Sequence, residues 1–150
     1  MVLDIKIDID KKGIDQIKKM PKQFKEGVFK GVKESMFLVE ATAKKRMGRL
    51  GELQVRTGQL RGSIQSGVKN GPSGTVGWVG SNLIYARIHE LGGIIKPRAK
   101  KYLRFPINGH WVTVSKVKMP ARPYLEPSIK ENTEKIKEIV QENILRELNR

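Results

Sequence analysis

Alternation opens the chain. Leu3, Ile5, Ile7 and Ile9 fall on one side and Asp4, Lys6 and Asp8 on the other, which predicts a half-buried strand over Val2–Ile9. After Gly13 a short helical turn carries Ile14, Ile17 and Met20. Pro21 then suits the first turn of a longer helix, where its missing N–H is not needed. From Pro21 to about Met47, the residues Phe24, Val28, Val32, Met36, Val39, Ala43 and Met47 recur every three or four positions and form one apolar stripe. Such a helix is ~40 Å long, comparable with a whole domain, so it must cross the fold from end to end. Phe37 and Leu38 fall off the stripe, leaving a second surface for the core or a partner chain to cover.

Gly48–Gly51 ends this helix, and Thr57 reads as the N-cap of a short helical turn through Leu60. Ser63–Lys69 and Thr75–Gly80 read as strands joined by the glycine-proline turn Asn70–Gly74. Leu83–Leu91 is a short helix stopped by Gly92-Gly93. Tyr102–Ile107 and His110–Val117 flank Asn108-Gly109, the pair that a two-residue type I′ turn favours. That register sets Phe105 opposite Val112 and Leu103 opposite Val114, and it requires the Pro106 nitrogen to face away from the ladder. Glu126–Leu148 reads as one last helix. Ile129, Ile136, Ile139, Val140 and Ile144 share its face, Leu145 stands off it, and Glu131–Lys135 is an i,i+4 pair. The order predicts an α+β fold, an antiparallel β-sheet packed against a long N-terminal-half helix and a C-terminal helix. With 150 residues, two independent cores would each be small, so a single domain over residues 1–150 is expected.

Charge changes the picture. The chain has 30 basic and 15 acidic residues, and the excess is not spread evenly. Lys44–Lys69 holds seven basic residues and one acidic, Arg87–Arg122 nine and one, while Met1–Ala43 and Pro123–Arg150 are nearly balanced. Two basic central segments point to an anionic partner: nucleic acid, acidic protein or lipid. The absence of cysteine excludes a disulfide framework, a thiolate zinc site and a cysteine nucleophile. No apolar run approaches the ~20 residues of a membrane span, and the charged N-terminus does not read as a secretion signal. A soluble protein, intracellular when made, is expected.

The catalytic inventory is thin. His89-Glu90 begins like the zinc-protease helix His-Glu-x-x-His, but position 93 is glycine and the only other histidine is His110. There is no Gly-Lys-Ser/Thr phosphate loop, no Gly-x-Ser-x-Gly elbow, and no acidic cluster within the basic segments to hold magnesium. No catalytic residue, cofactor or metal is expected; a hydrolase using His89 and Glu90 is the remote alternative. Lys96, Arg98, Lys100, Lys101 and Arg104 interleave with Tyr102 and face Trp111 across the hairpin, a composition suited to tracking phosphates and stacking bases. A nonspecific DNA-binding module built on segments 44–69 and 87–122 is therefore the alternative reading.

Three phrases carry more than composition. Arg56-Thr57-Gly58-Gln59-Leu60-Arg61-Gly62-Ser63-Ile64 is followed by Tyr85-Ala86-Arg87-Ile88-His89-Glu90-Leu91-Gly92, and later by Arg122-Pro123-Tyr124-Leu125. In this order and spacing they resemble the tail-component, or tail-completion, family of long-tailed bacteriophages and prophages, with its "RTG-x-L-R-x-S-I", "YA-x-x-x-E-x-G" and "RP-F/Y-L" segments. Leu91 stands where that family often carries phenylalanine. The resemblance implies a non-enzymatic virion protein at the head–tail junction or the head-proximal end of the tail, working as a homo-oligomeric ring. It implies tail and head–tail connector proteins as partners, assembly in the host cytoplasm, and passing DNA as a further contact. On this reading Thr57, Gly58, Leu60, Tyr85, His89, Glu90, Gly92, Pro123 and Tyr124 are architectural. Arg56, Arg61, Arg98, Lys100, Lys101, Arg104 and Arg122 are candidates for an interface or a DNA-facing surface.

Overall fold

Thirteen segments in chain order build the fold, seen in a computed structural model that describes residues 2–4, 20–50, 53, 57–71 and 74–150. They are β1 (Val2–Asp4), α1 (Lys22–Lys45), a kinked π-type turn (Arg46–Leu50), α2 (Gln59–Ser63), β2 (Ile64–Gly71), β3 (Gly74–Ser81), α3 (Ala86–Leu91), β4 (Gly93–Ile95), β5 (Leu103–Ile107), β6 (His110–Val114), β7 (Val117–Met119), α4 (Glu126–Glu131) and α5 (Thr133–Leu148). The α+β class holds, with three small antiparallel sheets among the described residues: β1-β3-β2, β4-β7 and β5-β6. The expected strand beyond Asp4 and the helical turn after Gly13 lie outside the described residues, as does Arg56.

Helix α1 is the middle layer. One side lies on β2 and β3, the other on α5. Its apolar stripe reaches the core through Met36, Val39 and Ala43, which pack with Met47, Ile64, Val79, Tyr124 and Leu125, while Phe24 and Val28 are only half-buried. The helix ends where Met47 turns extended (φ −69°, ψ 120°) and Gly48 goes left-handed (φ 91°). Glu40 on this helix binds Lys44 and accepts the Ser66 hydroxyl at 2.6 Å, tying α1 to β2.

The second covered surface is not the one that Phe37 suggests. Phe37 is 55% exposed, whereas Gly27 and Gly31, one turn apart, are buried under α5, and Ser35 a turn further on is buried as well. A Cβ on Gly27 would lie 2.6 Å from Ile144 Cα, and one on Gly31 would lie 2.6 Å from Val140 Cα. The two antiparallel helices thus touch backbone to backbone, which only small side chains permit. Polar groups flank the seam. Asn143 Nδ2 donates to Glu34 at 2.8 Å, and Lys30 binds the buried Glu147 carboxylate at 2.9 Å.

The last helix is broken in two. Asn132 Nδ2 donates to Ser128 O at 2.7 Å and to Thr42 Oγ1 at 3.2 Å, and its backbone (φ −99°, ψ 5°) leaves the helical path. A short amide side chain that binds its own preceding turn competes with helix continuation. Glu131 consequently pairs with Arg46 rather than Lys135, and Lys135 pairs with Glu138.

The predicted hairpin forms in the predicted register, Phe105 with Val112 and Leu103 with Val114, around Asn108 (φ 49°) and Gly109 (φ 82°). Its second strand does not run to Val117. It stops at Val114, and Val117–Met119 pairs instead with Gly93–Ile95. The two pairings are nested, so residues 93–119 make one ribbon with a base, a bulging segment 96–102 on one side, and a tip at Asn108-Gly109. No residue from 93 to 119 is buried, and neither strand pair packs broadly on another element.

Candidate interaction surface

The second and third sequence phrases meet through one carboxylate. Glu90, on α3 and 2% exposed, accepts the N–H groups of Tyr124 (Oε2, 2.9 Å), Leu125 (Oε2, 3.0 Å) and Glu126 (Oε1, 2.9 Å). Leu125 and Glu126 are donors that a helix beginning at Glu126 leaves without intrahelical partners, and Tyr124 comes just before them. Pro123 before them and Pro127 after them have no N–H to satisfy, so a single side chain accepts every N–H between residues 123 and 127. A negative group at a helix N-terminus is also favoured by the helix dipole.

The surroundings hold the two strands of this junction together. Arg122 N–H donates to His89 O at 2.7 Å. Gly92 has φ +67°, and a Cβ there would stand 2.7 Å from Ala121 N, so the position admits only glycine without a shift. Tyr85 meets His89 edge-on, with ring centroids 6.0 Å apart, and its hydroxyl donates to Gln59 Oε1 at 3.1 Å. That bond links the phrase around Thr57 to α3. Thr57 itself is not the cap: Gly58 (φ +74°) occupies that position, and the exposed Thr57 hydroxyl accepts only a 3.4 Å bond from Gln59 N. The reason is backbone geometry, since the left-handed turn at Gly58 carries the chain into the helix. Leu60 packs half-buried against the core.

Tyr124 is 1% exposed, and its hydroxyl has no hydrogen-bond partner among the described residues. Burial, with the Glu90 charge adding to it, pushes the phenol up to about 12. An unpaired buried hydroxyl costs roughly 1–3 kcal/mol. Tyr124→Phe is therefore expected to leave stability unchanged or raise it by up to about 1 kcal/mol, as read from urea unfolding midpoints. A clear loss would mean that the hydroxyl has a partner.

Among the described residues, three shifted groups shape the acid response. Burial, then the Arg122 charge, hold His89 below its usual value. The Lys30 hydrogen bond lowers Glu147 against the opposing effect of burial. Burial tends to raise Glu40, but Lys44 and Ser66 together bring it down. A depressed histidine means the folded state binds fewer protons than the unfolded one, so its contribution is complete above 6.5 and fades as pH falls through the lowered folded value. The two carboxylates contribute above 4.5 and lose that contribution below it. Stability is expected to fall in two stages on acidification. His89→Gln should remove the upper stage while leaving the lower, as followed by urea unfolding across the pH range.

The basic candidates do not form one group. Arg98, Lys100 and Lys101 are exposed on the bulging segment of the ribbon, and Arg104 is exposed on β5. The Arg104 guanidinium lies 5.1 Å from the Trp111 ring centroid, and the Lys101 ammonium 5.6 Å from that of Tyr102. Arg61 is exposed on α2, and Arg122 is half-buried at the Glu90 junction, so neither belongs to the ribbon. His89 and Glu90 do not make a hydrolytic pair, because the carboxylate is engaged by backbone amides. Among the described residues no cluster of three or more His, Cys, Asp or Glu suits a metal ion, and no helix is long and apolar enough to cross a membrane. Sequence reasoning misses the Gly27/Gly31/Ser35 seam, although small residues at every fourth position are its signal.

The chain belongs to the phage virion morphogenesis family, whose model matches residues 37–145. The match spans all three phrases, the ribbon, the last nine residues of α1 and most of α5. No curated protein and no solved structure matches the chain. Membership gives it a structural, morphogenetic role in a phage particle and other virion proteins as its partners.

Proposed function

We propose that the protein completes the phage tail and joins it to the head, without catalysis, as a ring of copies in which residues 1–150 act as one unit. Its place is then the host cytoplasm during assembly and the virion afterwards, against tail and connector proteins. The observation that carries this reading is the family match over the segment in which the three tail-completion-like phrases are hydrogen-bonded into one junction. Exposed Phe37 and Leu145, 55% and 52% accessible on the two long helices, supply apolar surface for neighbouring subunits. A ring-closing contact between copies is heterologous, so one copy's patch meets a different patch on the next.

Electron microscopy of particles assembled without the gene tests the role. Filled heads lying beside free tails of normal length are the expected result. Abnormally long tails would replace joining with termination of tail growth, and normal infectious virions would remove the proposal.

A further inference from the structure

We infer that the ribbon of residues 93–119 is a docking arm, and that its occupant is an acidic, partly apolar surface of a different virion protein. The inference rests on the proposed assembly role and names the contact through which that role is exercised.

Four observations lead there. The ribbon has no buried residue, and a two-stranded ribbon by itself is at best marginally stable in water, so a partner that covers it would contribute to its order. It carries seven cations (Lys96, Arg98, Lys100, Lys101, Arg104, Lys116 and Lys118) and no carboxylate, which calls for a negative partner. It also exposes apolar side chains: Trp111 by 64% on the face that carries Arg104, Ile107 by 48% on the other face and Ile94 by 56% at the base. Finally, the Arg104–Trp111 stack preassembles an arginine and an aromatic ring, the residue types that dominate protein–protein hot spots.

These features separate the candidate occupants. A second copy of this chain is a poor match, because it brings the same positive excess. Of its fifteen acidic side chains, those of Glu40, Glu90, Glu126, Glu131 and Glu147 are already bound within the fold. Duplex DNA would satisfy the cations, but protein–DNA interfaces are more polar than protein–protein ones, and the exposed Ile94 and Ile107 would be left without a role. Strand addition to the β5 edge is also blocked locally: Pro106 pairs with Trp111, one position in from the pair that flanks the turn, so its nitrogen points outward and offers no donor. The arm therefore docks through side chains, with the Arg104–Trp111 pair at the centre and the lysines around it.

Zero-length carbodiimide coupling in purified virions, read by mass spectrometry, tests the occupant, because it joins a lysine amine only to a carboxylate in contact with it. Cross-links from Lys96, Lys100 or Lys101 to aspartates or glutamates of another virion protein are expected. Cross-links only to further copies of this chain, or none from the arm, would overturn the inference. In parallel, extracts of the phage lacking this gene are supplemented with purified protein. Wild type should restore infectious titre. The variants Trp111→Ala and Lys100→Glu/Lys101→Glu/Arg104→Glu should restore on the order of 100-fold less while keeping the wild-type unfolding midpoint, the scale expected when an anchor residue is lost.

The outcomes are separable. Wild type failing to restore titre would overturn the assembly role and the arm with it. Variants restoring as well as wild type would sink the arm alone. Tight binding of a short DNA duplex that the charge-reversed variant loses, with no carboxylate cross-link, would give the arm to nucleic acid instead.

Discussion

Glu90→Ala is expected to lower the unfolding free energy by about 3–5 kcal/mol, the range for leaving buried, charge-assisted hydrogen-bond partners unpaired. Three backbone N–H groups would lose their acceptor at once, and all three lie at the buried mouth of α4, where Tyr124 and Leu125 are each 1% exposed. Domains of this size are commonly stable by about 5–15 kcal/mol, so the change would remove a large share of the total. Glu90→Gln keeps one acceptor oxygen and should lose less. Urea unfolding of both variants decides the matter. If Glu90→Ala stays within about 1 kcal/mol of wild type, the amides have found other partners and the junction is not held as described.

The second large effect reverses an ordinary rule. Glycine to alanine inside a helix normally stabilises by up to about 1 kcal/mol. At Gly27 and Gly31 the added methyl would stand 2.6 Å from backbone Cα atoms of α5, which cannot rotate away as a side chain could. Each substitution is expected to destabilise by about 1–3 kcal/mol, because the helices must separate to admit it. The double variant should fall short of the sum, since one separation relieves both clashes. Gly62, helical in α2 with nothing within 4 Å of where a methyl would stand, is the internal control. Gly62→Ala should be neutral or stabilising. Equal behaviour at all three positions would show that α1 and α5 do not touch backbone to backbone.

Particular elements show where reading the sequence succeeds. The Asn108-Gly109 turn and its Phe105–Val112 register follow from a local rule reinforced by an alternating pattern, two independent short-range signals that agree. The stripe on α1 ends at Gly48 for the same kind of reason. The reading fails where a local pattern is overruled by a distant group. Glu126–Leu148 has continuous helical periodicity, yet Asn132 also binds Thr42 of α1, and that contact goes with a bend at this point. His110–Val117 alternates well enough to be one strand, yet Val117–Met119 finds a better partner in Gly93–Ile95. Glu90 is visible as part of a phrase, but nothing near it in the chain says that its oxygens are spent on amides more than thirty residues onward.

What the sequence by itself determined were most of the elements, their periodicity, the α+β class and the basic centre of the chain, because each depends on residues within a few positions or on composition alone. Only the tertiary structure decided that glycines seal α1 to α5, that one carboxylate caps a remote helix, and that residues 93–119 stand out as a ribbon. Those outcomes depend on which surfaces meet after the chain has folded back on itself, and separation along the sequence carries no record of that distance.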